Sequence, residues 1–224
     1  MADGQGVRVA IIDSGVHLTH PHIGRIAGGV TITAEGETAD FTDRIGHGTA
    51  VTAALQEKAP AADIHVVRVF VESLRTTTDC LLRAIDWCIL HRMNVVNLSL
   101  GSLNGAYLER YRETVARATA AGVILVAAVE AQDQPCYPGC LEDVLGVGLD
   151  WECPRETFRV VELAGRTIFH ASGYPRPIPG VAPRRNLNGI SFAVANMSGF
   201  VARAVAGTDT LSLRGVVARL MPDR

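Results

Sequence analysis

Strand-like and helix-like segments alternate along most of this chain. Buried-strand patterns occupy residues 7–12, 64–70, 95–98, 123–128 and 144–149. Helical patterns follow them, over residues 50–57, 79–92, 107–121 and 192–206. This alternation is typical of βαβ units, so it predicts an α/β fold with a mostly parallel central sheet and helices on both faces.

Residues 150–188 differ from the rest of the chain. Five prolines divide this segment into short strands and turns, and residues 155–169 are predicted to form a hairpin. We interpret the segment as a loop-rich edge of the same domain. A chain of 224 residues suits one domain with a sizeable core, so we predict a single domain over residues 1–224.

The composition is that of an ordinary globular protein, with 48% hydrophobic and 20% charged residues. A formal net charge of −2 does not favour nucleic acid or anionic lipid as an obligatory partner. No apolar stretch reaches the roughly 18 residues of a membrane-spanning helix. The first six residues are polar and acidic, unlike a secretory signal. We therefore expect a cytoplasmic protein that binds neither nucleic acid nor membrane.

Five cysteines are an odd number, which does not favour a full disulfide framework in a chain without an export signal. The spacing of Cys136 and Cys140 permits a local disulfide, half of a metal site or two free thiols. His17, His20 and His22 are interpreted as a solvated turn. No further Cys or His pair completes a tetrahedral set, so we predict neither a metal nor a cofactor.

Three short motifs each present one residue that a nucleophilic hydrolase needs. Asp13 follows the first strand and precedes Ser-Gly, His47 begins His-Gly-Thr, and Ser191 stands before the last helical segment. A serine hydroxyl becomes a good nucleophile when an imidazole removes its proton, and a carboxylate orients and stabilises that imidazole. A helix start behind Ser191 also favours negative charge there. These three residues are therefore the candidate catalytic residues.

In these motifs the chain resembles the subtilisin-like serine proteases. That family has Asp-[Ser/Thr]-Gly, His-Gly-Thr and Gly-Thr-Ser-Met-Ala in the same order, and residues 13–15, 47–49 and 189–193 match them here. The likeness extends from about residue 7 to about residue 207. It implies a subtilisin-like three-layer fold and a serine endopeptidase that acts on a peptide or protein substrate with Asp13, His47 and Ser191 as its triad.

The resemblance also implies where a peptide would bind. Ser99, Leu100 and Gly101 match the strand end that lines the family's cleft, and Cys136 falls near the floor of its primary specificity pocket. The segment containing Ser73 and Leu74 matches the opposite edge strand, which pairs with an extended peptide. The alternative for both segments is an ordinary loop at a strand end.

One position departs from the family's pattern. Glu130 stands where the family has an Asn whose amide donates to the oxyanion, beside the backbone N–H of Ser191. Loss of one such donor costs about 3–4 kcal/mol of transition-state stabilisation. Glu130 could donate as a protonated acid, the loop could bring Gln132 or Gln134 into its place, the protease could be weak or inactive, or Glu130 could simply face solvent.

Two further departures concern segments that secreted relatives possess. The loop after the His47 helix is short, so we expect no equivalent of their calcium site. The residues before the first strand are too few for their inhibitory segment, so we expect either a mature fragment or a protein that folds unaided in the cytoplasm. We interpret these absences as signs of a narrow-specificity processing protease that trims a leader from one peptide. The alternative is a catalytically weak or inactive module that binds peptide or serves as a subunit of a processing complex with a partner.

Overall fold

A computed structural model describes residues 2–163, 165–208 and 210–221. The strands are β1 (Arg8–Asp13), β2 (Gly28–Thr33), β3 (Gly36–Thr38), β4 (Asp63–Arg68), β5 (Val95–Leu98), β6 (Ile124–Ala128), β7 (Glu130–Ala131), β8 (Gln134–Pro135), β9 (Leu145–Leu149), β10 (Phe158–Leu163) and β11 (Arg166–Ala171). The α-helices are α1 (His47–Lys58), α2 (Thr78–Leu90), α3 (Leu108–Ala120), α4 (Ile190–Val205) and α5 (Leu213–Leu220).

Nine of these strands form one sheet in the order β10-β11-β9-β6-β5-β1-β4-β2-β3. Every neighbouring pair from β11 to β2 is parallel, and the two outermost strands, β10 and β3, pair antiparallel with their neighbours. Strand β1 has β5 on one side and β4 on the other. The strands that follow β1 in the chain therefore extend the sheet in both directions from it, and the carboxyl end of β1 lies at this change of direction. Ligands of open α/β sheets bind at such points.

Helices cover both faces of the sheet. On one face, α1, α4 and α5 pack over residues that include Ile11, Val66 and Val126. On the other face, α2 and α3 pack over a second cluster that includes Ile12 and Val96. Alternate residues of the strands enter opposite clusters, as the two-residue repeat of a strand requires. The predicted three-layer α/β fold is therefore confirmed.

The predicted strands and helices correspond to β1, β4, β5, β6 and β9 and to α1 to α4, with shifted ends. The hairpin predicted over residues 155–169 is present as β10 and β11. Gly122 follows α3 with a φ of 72°, which suits the glycine that ends a helix. The predicted single domain over 1–224 includes residues outside the described ranges and stays a prediction.

The pattern gave no indication of β2, β3, the short β7–β8 hairpin or α5. Strand β2 begins with two glycines, which weaken a strand pattern. Gly29 is required by a close approach, because a Cβ at that position would lie 2.6 Å from the carbonyl oxygen of Val66 and 2.8 Å from the ring of Phe41. Helix α5 buries only Val216 and Leu220, so its apolar face is narrow.

The shifted ends of two helices matter for the candidate site. Helix α1 begins at His47 rather than at residue 50, and α4 begins at Ile190 rather than after Ser191. Both candidate side chains therefore lie in the first turn of a helix. Within the described part of the chain, no helix combines the length and hydropathy needed to cross a bilayer.

Candidate active site

The three candidate catalytic residues come from three elements that meet at one edge of the sheet. Asp13 is the last residue of β1, His47 the first of α1 and Ser191 the second of α4. Gly48 allows α1 to approach the end of β1, because a Cβ there would overlap the carbonyl oxygen of Gly15. The structure thus brings all three side chains to the same region.

Asp13 and His47 are joined by a short hydrogen bond. His47 Nδ1 lies 2.7 Å from Asp13 Oδ1, and the same oxygen accepts the backbone N–H of Ser14 at 2.7 Å. Asp13 is fully buried, and its Oδ2 has no hydrogen-bond partner among the described residues. With Nδ1 donating to the carboxylate, Nε2 is left as the nitrogen that can accept a proton.

The surroundings of His47 raise its pKa above the usual value of about 6.5. Burial alone lowers this pKa, but the hydrogen bond to Asp13 and the negative charges of Asp13 and Asp43 outweigh burial. The geometry therefore favours the charged form of the imidazole, as is needed when a base has taken a proton from a nucleophile.

Asp43 is a positioning residue that the sequence analysis did not select. Its Oδ1 accepts the hydroxyl of Ser14 at 2.9 Å and the backbone N–H groups of Ile45 and Gly46 at 2.9 and 2.8 Å. Its Oδ2 accepts the backbone N–H of Thr49 at 2.9 Å and the Thr49 hydroxyl at 2.5 Å. The carboxylate thus fixes the turn that leads into His47 and ties it to the residue after Asp13. The spacing Asp-x-x-Gly-His-Gly-Thr was the available signal.

Ser191 exchanges hydrogen bonds with Ser99. The Ser191 hydroxyl donates to the carbonyl oxygen of Ser99 at 3.1 Å, and the Ser99 hydroxyl donates to the carbonyl oxygen of Ser191 at 2.9 Å. No hydrogen bond joins Ser191 to His47 in the described part of the structure. Ser191 and His47, the candidate nucleophile and base, therefore share a cleft without being hydrogen-bonded to each other.

A buried polar chain holds Ser99 in place. Ser198, on α4, donates to Asn97 Oδ1 at 3.0 Å, and Asn97 Nδ2 donates to Ser99 Oγ at 2.9 Å. Asn97 and Ser198 are fully buried. Since buried polar groups are costly when unpaired, this chain fixes β5 against α4. Ser99 was predicted as part of the cleft wall, and the structure adds that it is hydrogen-bonded to Ser191.

A cleft of about 540 Å³ contains His47 and Ser191. Of the residues predicted to bind peptide, Ser99, Leu100, Gly101 and Leu74 line it. Ser73 is exposed and does not line the cleft. Residues 71–74 form bends and residues 75–77 belong to no helix or strand, so the expected edge strand is absent, and no strand of the described sheet pairs with this segment.

Cys136 lies behind the cleft wall rather than on its surface. It is buried, and a Cβ at Gly101 would overlap its Sγ. The two segments are held together by the backbones of Ser102 and Tyr137, with N···O distances of 2.9 and 2.8 Å. Burial raises the pKa of Cys136 to about 11, so the group is a neutral thiol. All five cysteines are free in the structure, which leaves Cys136 and Cys140 as two thiols.

Glu130 begins the β7–β8 hairpin and is exposed. Gln132 and Asp133 form the turn with φ values of 54° and 57°, which suits a two-residue hairpin connection. Glu130 and Gln134 line a second cavity of about 780 Å³, together with Arg166, and neither residue lines the cleft of Ser191. The role of Glu130 at the oxyanion stays a prediction.

His17, His20 and His22 lie in a turn beside a cavity of about 420 Å³. Thr19 Oγ1 lies 3.2 Å from His17 Nδ1, and the backbone N–H of His22 donates to His20 Nδ1 at 3.2 Å. Over residues 2–163, 165–208 and 210–221, no group of three or more His, Cys, Asp or Glu side chains is arranged to hold a metal ion.

The sequence is similar to that of known proteins. A family model described as the subtilase family matches residues 4–153, which include Asp13 and His47. The membrane-bound transcription factor site-1 protease of Mus musculus is 35% identical over 164 residues, covering 66% of this chain and 15% of that protein. The chain thus spans only a small part of this relative. Subtilisin DY of Bacillus licheniformis is 29% identical over 237 residues, covering 97% of this chain and 83% of that protein.

The fold also matches solved structures. The crystal structure of the nisin leader peptidase NisP from Lactococcus lactis has a TM-score of 0.72 and 19% sequence identity to this chain. The match covers 97% of this chain and 82% of that one. At this identity, the likeness supports the arrangement of strands and helices and nothing finer.

Replacing Asp43 by Asn should destabilise the protein by about 1–3 kcal/mol, because buried donors lose their charged acceptor. Urea unfolding of Asp43→Asn against wild type measures the difference, with Asp79→Asn, in an exposed ion pair with Arg110, as the control. Burial raises the pKa of Asp43, but hydrogen bonds from Thr49, Gly46 and Ile45 hold it below its usual value of about 3.8.

A carboxylate with a depressed folded-state pKa stabilises the fold above its unfolded pKa and loses that effect as the pH falls. The difference between wild type and Asp43→Asn should therefore narrow below about pH 3.8. An equal or larger loss in Asp79→Asn, or a difference independent of pH, would contradict the positioning role.

Proposed function

Since the chain belongs to the subtilase family, we propose that it is a serine endopeptidase with Ser191 as nucleophile, His47 as general base and Asp13 as the carboxylate that orients His47. The hydrogen bond of 2.7 Å between Asp13 and His47, at the edge of the cleft that contains Ser191, carries this proposal. The site chemistry is that of acyl transfer to a serine hydroxyl.

The reaction begins when the Ser191 hydroxyl leaves the carbonyl of Ser99 and turns to His47 Nε2. His47 takes the hydroxyl proton as Oγ attacks the carbonyl carbon of the peptide, and the carbonyl oxygen becomes an oxyanion. His47 then gives the proton to the leaving amine, which breaks the peptide bond and leaves an acyl-enzyme. Water, deprotonated by His47, hydrolyses the ester and restores Ser191.

The backbone N–H of Ser191 is the proposed oxyanion donor. It lies in the first turn of α4, where N–H groups have no partner within the helix and the helix dipole favours negative charge. A second donor is not evident among the described residues that line the cleft near Ser191, because Glu130 lies on an exposed hairpin. We therefore propose a slow protease, whose oxyanion hole is half complete until substrate or a partner subunit binds.

A narrow substrate specificity is consistent with this proposal. The solved relative NisP is a leader peptidase by name, and a half-formed oxyanion hole restricts activity to peptides whose binding completes it. We propose leader trimming of a peptide by a single-domain cytoplasmic protein. The second candidate function is a non-catalytic module that binds peptide or belongs to a processing complex, and it is favoured by the bond from Ser191 to Ser99 in place of one to His47.

A fluorophosphonate probe tests the catalytic assignment. Wild-type protein should be labelled covalently on Ser191, and Ser191→Ala should not be labelled. His47→Ala should be labelled about 10²–10⁴-fold more slowly, because the general base is lost. Ser212→Ala, which removes a hydroxyl that caps α5, is the control for loss of a serine elsewhere. Absence of labelling in a folded wild-type chain would favour the non-catalytic module.

The pH dependence of labelling tests the role of Asp13. Only neutral His47 can act as a base, and its pKa lies above about 6.5, so the labelling rate should rise with pH through a midpoint above that value. Asp13→Asn removes the charge that raises this pKa and should move the midpoint to lower pH. Asp86→Asn, whose partner Arg117 is remote and exposed, should leave it unchanged. A midpoint that does not move in Asp13→Asn would contradict the assignment.

The rate at which the Glu130→Asn variant is labelled by the fluorophosphonate probe tests the oxyanion hypothesis. An exposed charge contributes about 1 kcal/mol or less, so labelling should change by less than about fivefold if Glu130 faces solvent. A gain of about 10²–10³-fold would instead show that the carboxylate occupies the position of the family's Asn. A comparable loss would show that Glu130 donates as a protonated acid.

A further inference from the structure

The cleft that contains His47 and Ser191 is rich in hydrogen-bond donors beyond these two residues. Its lining includes a group of six side chains that we call the donor patch: Arg75, Thr76, Thr77, Thr78, Ser102 and Tyr111. Phe70, Leu74, Leu81 and Leu100 supply apolar surface around the patch. No Asp or Glu is found among the described residues that line this cleft.

Two hydroxyls of the donor patch already act as acceptors. Thr77 Oγ1 accepts the backbone N–H of Cys80 at 3.2 Å, and Ser102 Oγ accepts the backbone N–H of Asn104 at 3.1 Å. A hydroxyl whose oxygen is engaged in this way keeps its hydrogen to donate elsewhere. The two hydroxyls are therefore available to donate to acceptors of a molecule that fills the cleft.

Among the donor patch, Tyr111 gives the strongest indication that a ligand would supply a hydrogen-bond acceptor. Its side chain is fully buried, and its hydroxyl has no hydrogen-bond partner in the described part of the structure. The ring is held by stacking on Tyr137, with 6.0 Å between the centroids and 16° between the planes. Burial raises the pKa of Tyr111, and the nearby hydroxyls of Thr78 and Ser102 offset this only in part, so the phenol keeps its proton. A fixed, protonated and unpaired phenol needs an acceptor.

Arg75 adds positive charge to the same cleft. Its side chain is exposed and takes part in no ion pair among the described residues. Asp79, the nearest acidic residue on α2, is engaged by Arg110 at 2.5 Å and does not line the cleft. A guanidinium is suited to pair with a carboxylate through two parallel hydrogen bonds.

We propose that the donor patch binds the carboxylate of an acidic side chain of the substrate, with Arg75 contributing charge and Tyr111 a hydrogen bond. The inference rests on the proposed function only in placing a peptide in this cleft. Ser102 is three residues beyond Ser99, which contacts the nucleophile, and three residues of chain span at most about 10 Å. The acidic residue would therefore lie within about three residues of the bond that is cleaved.

Direct binding tests the proposal without requiring hydrolysis. The Ser191→Ala protein is titrated into fluorescein-labelled octapeptides with an alanine background, in which one position at a time is Glu, Gln or Leu, and anisotropy gives the Kd. At one position, Glu should bind about tenfold more tightly than Leu and measurably more tightly than Gln. Added salt should weaken the preference for Glu over Gln, because that preference depends on charge.

Two further substitutions separate the contributions of charge and hydrogen bonding. Arg75→Gln should remove the preference for Glu over Gln. Tyr111→Phe, which keeps the stacked ring, should weaken the binding of the Glu and Gln peptides equally, to an affinity closer to that of the Leu peptide. Arg112→Gln and Tyr107→Phe are matched controls, because neither residue lines the cleft, and both should behave like the Ser191→Ala parent.

The outcomes distinguish this inference from the proposed function. A preference for Leu, or no preference at any position, overturns the inference, as does a Glu preference that survives both Arg75→Gln and Tyr111→Phe. Fluorophosphonate labelling of the wild type decides the proposed activity separately. A Glu preference in a chain that is not labelled would support an acidic-peptide-binding cleft and refute the protease.

Discussion

The parallel pairing of β1 with β5 is the constraint on which the candidate site depends. In this register Ile12 lies opposite Leu98, so the next residue of each strand, Asp13 and Ser99, emerges at the same edge of the sheet. Asp13 reaches His47 on α1, and Ser99 reaches Ser191 on α4. A shift of one residue would turn one of these side chains to the opposite face. The sheet register therefore brings together the two helices that carry the candidate base and the candidate nucleophile.

Much of the architecture follows from sequence patterns because the central strands are buried on both faces. Continuous apolar segments such as residues 123–128 are conspicuous, and this one contains β6. The motifs at Asp13, His47 and Ser191 were visible for a related reason, since close approaches such as that of Gly48 to Gly15 require glycine beside functional residues. Strand β2 and helix α5 were not predicted because tertiary contacts, rather than a local sequence pattern, stabilise them.

The finer organisation of the site was not predictable, since it depends on which side chains meet across the fold. Asp43 reads as an ordinary polar loop residue, yet five donors converge on it. Cys136 was expected on the floor of a specificity pocket and lies instead behind Gly101. Tyr111 reads as one more core position of α3, and only the fold reveals a phenol without a partner beside the cleft. Sequence patterns report burial, whereas these roles arise from contacts between residues distant in the chain.

The bond from Ser191 to the carbonyl of Ser99 has a consequence for the protein at rest. While that bond is intact, the nucleophilic oxygen is not activated by its base, and releasing it forgoes a net contribution of about 0.5–1.5 kcal/mol. A peptide that fits the cleft compensates for this loss through its own contacts with the cleft. In the proposed protease, the resting rotamer of Ser191 would thus keep its hydroxyl away from His47 until a bound peptide displaces the hydrogen bond to Ser99.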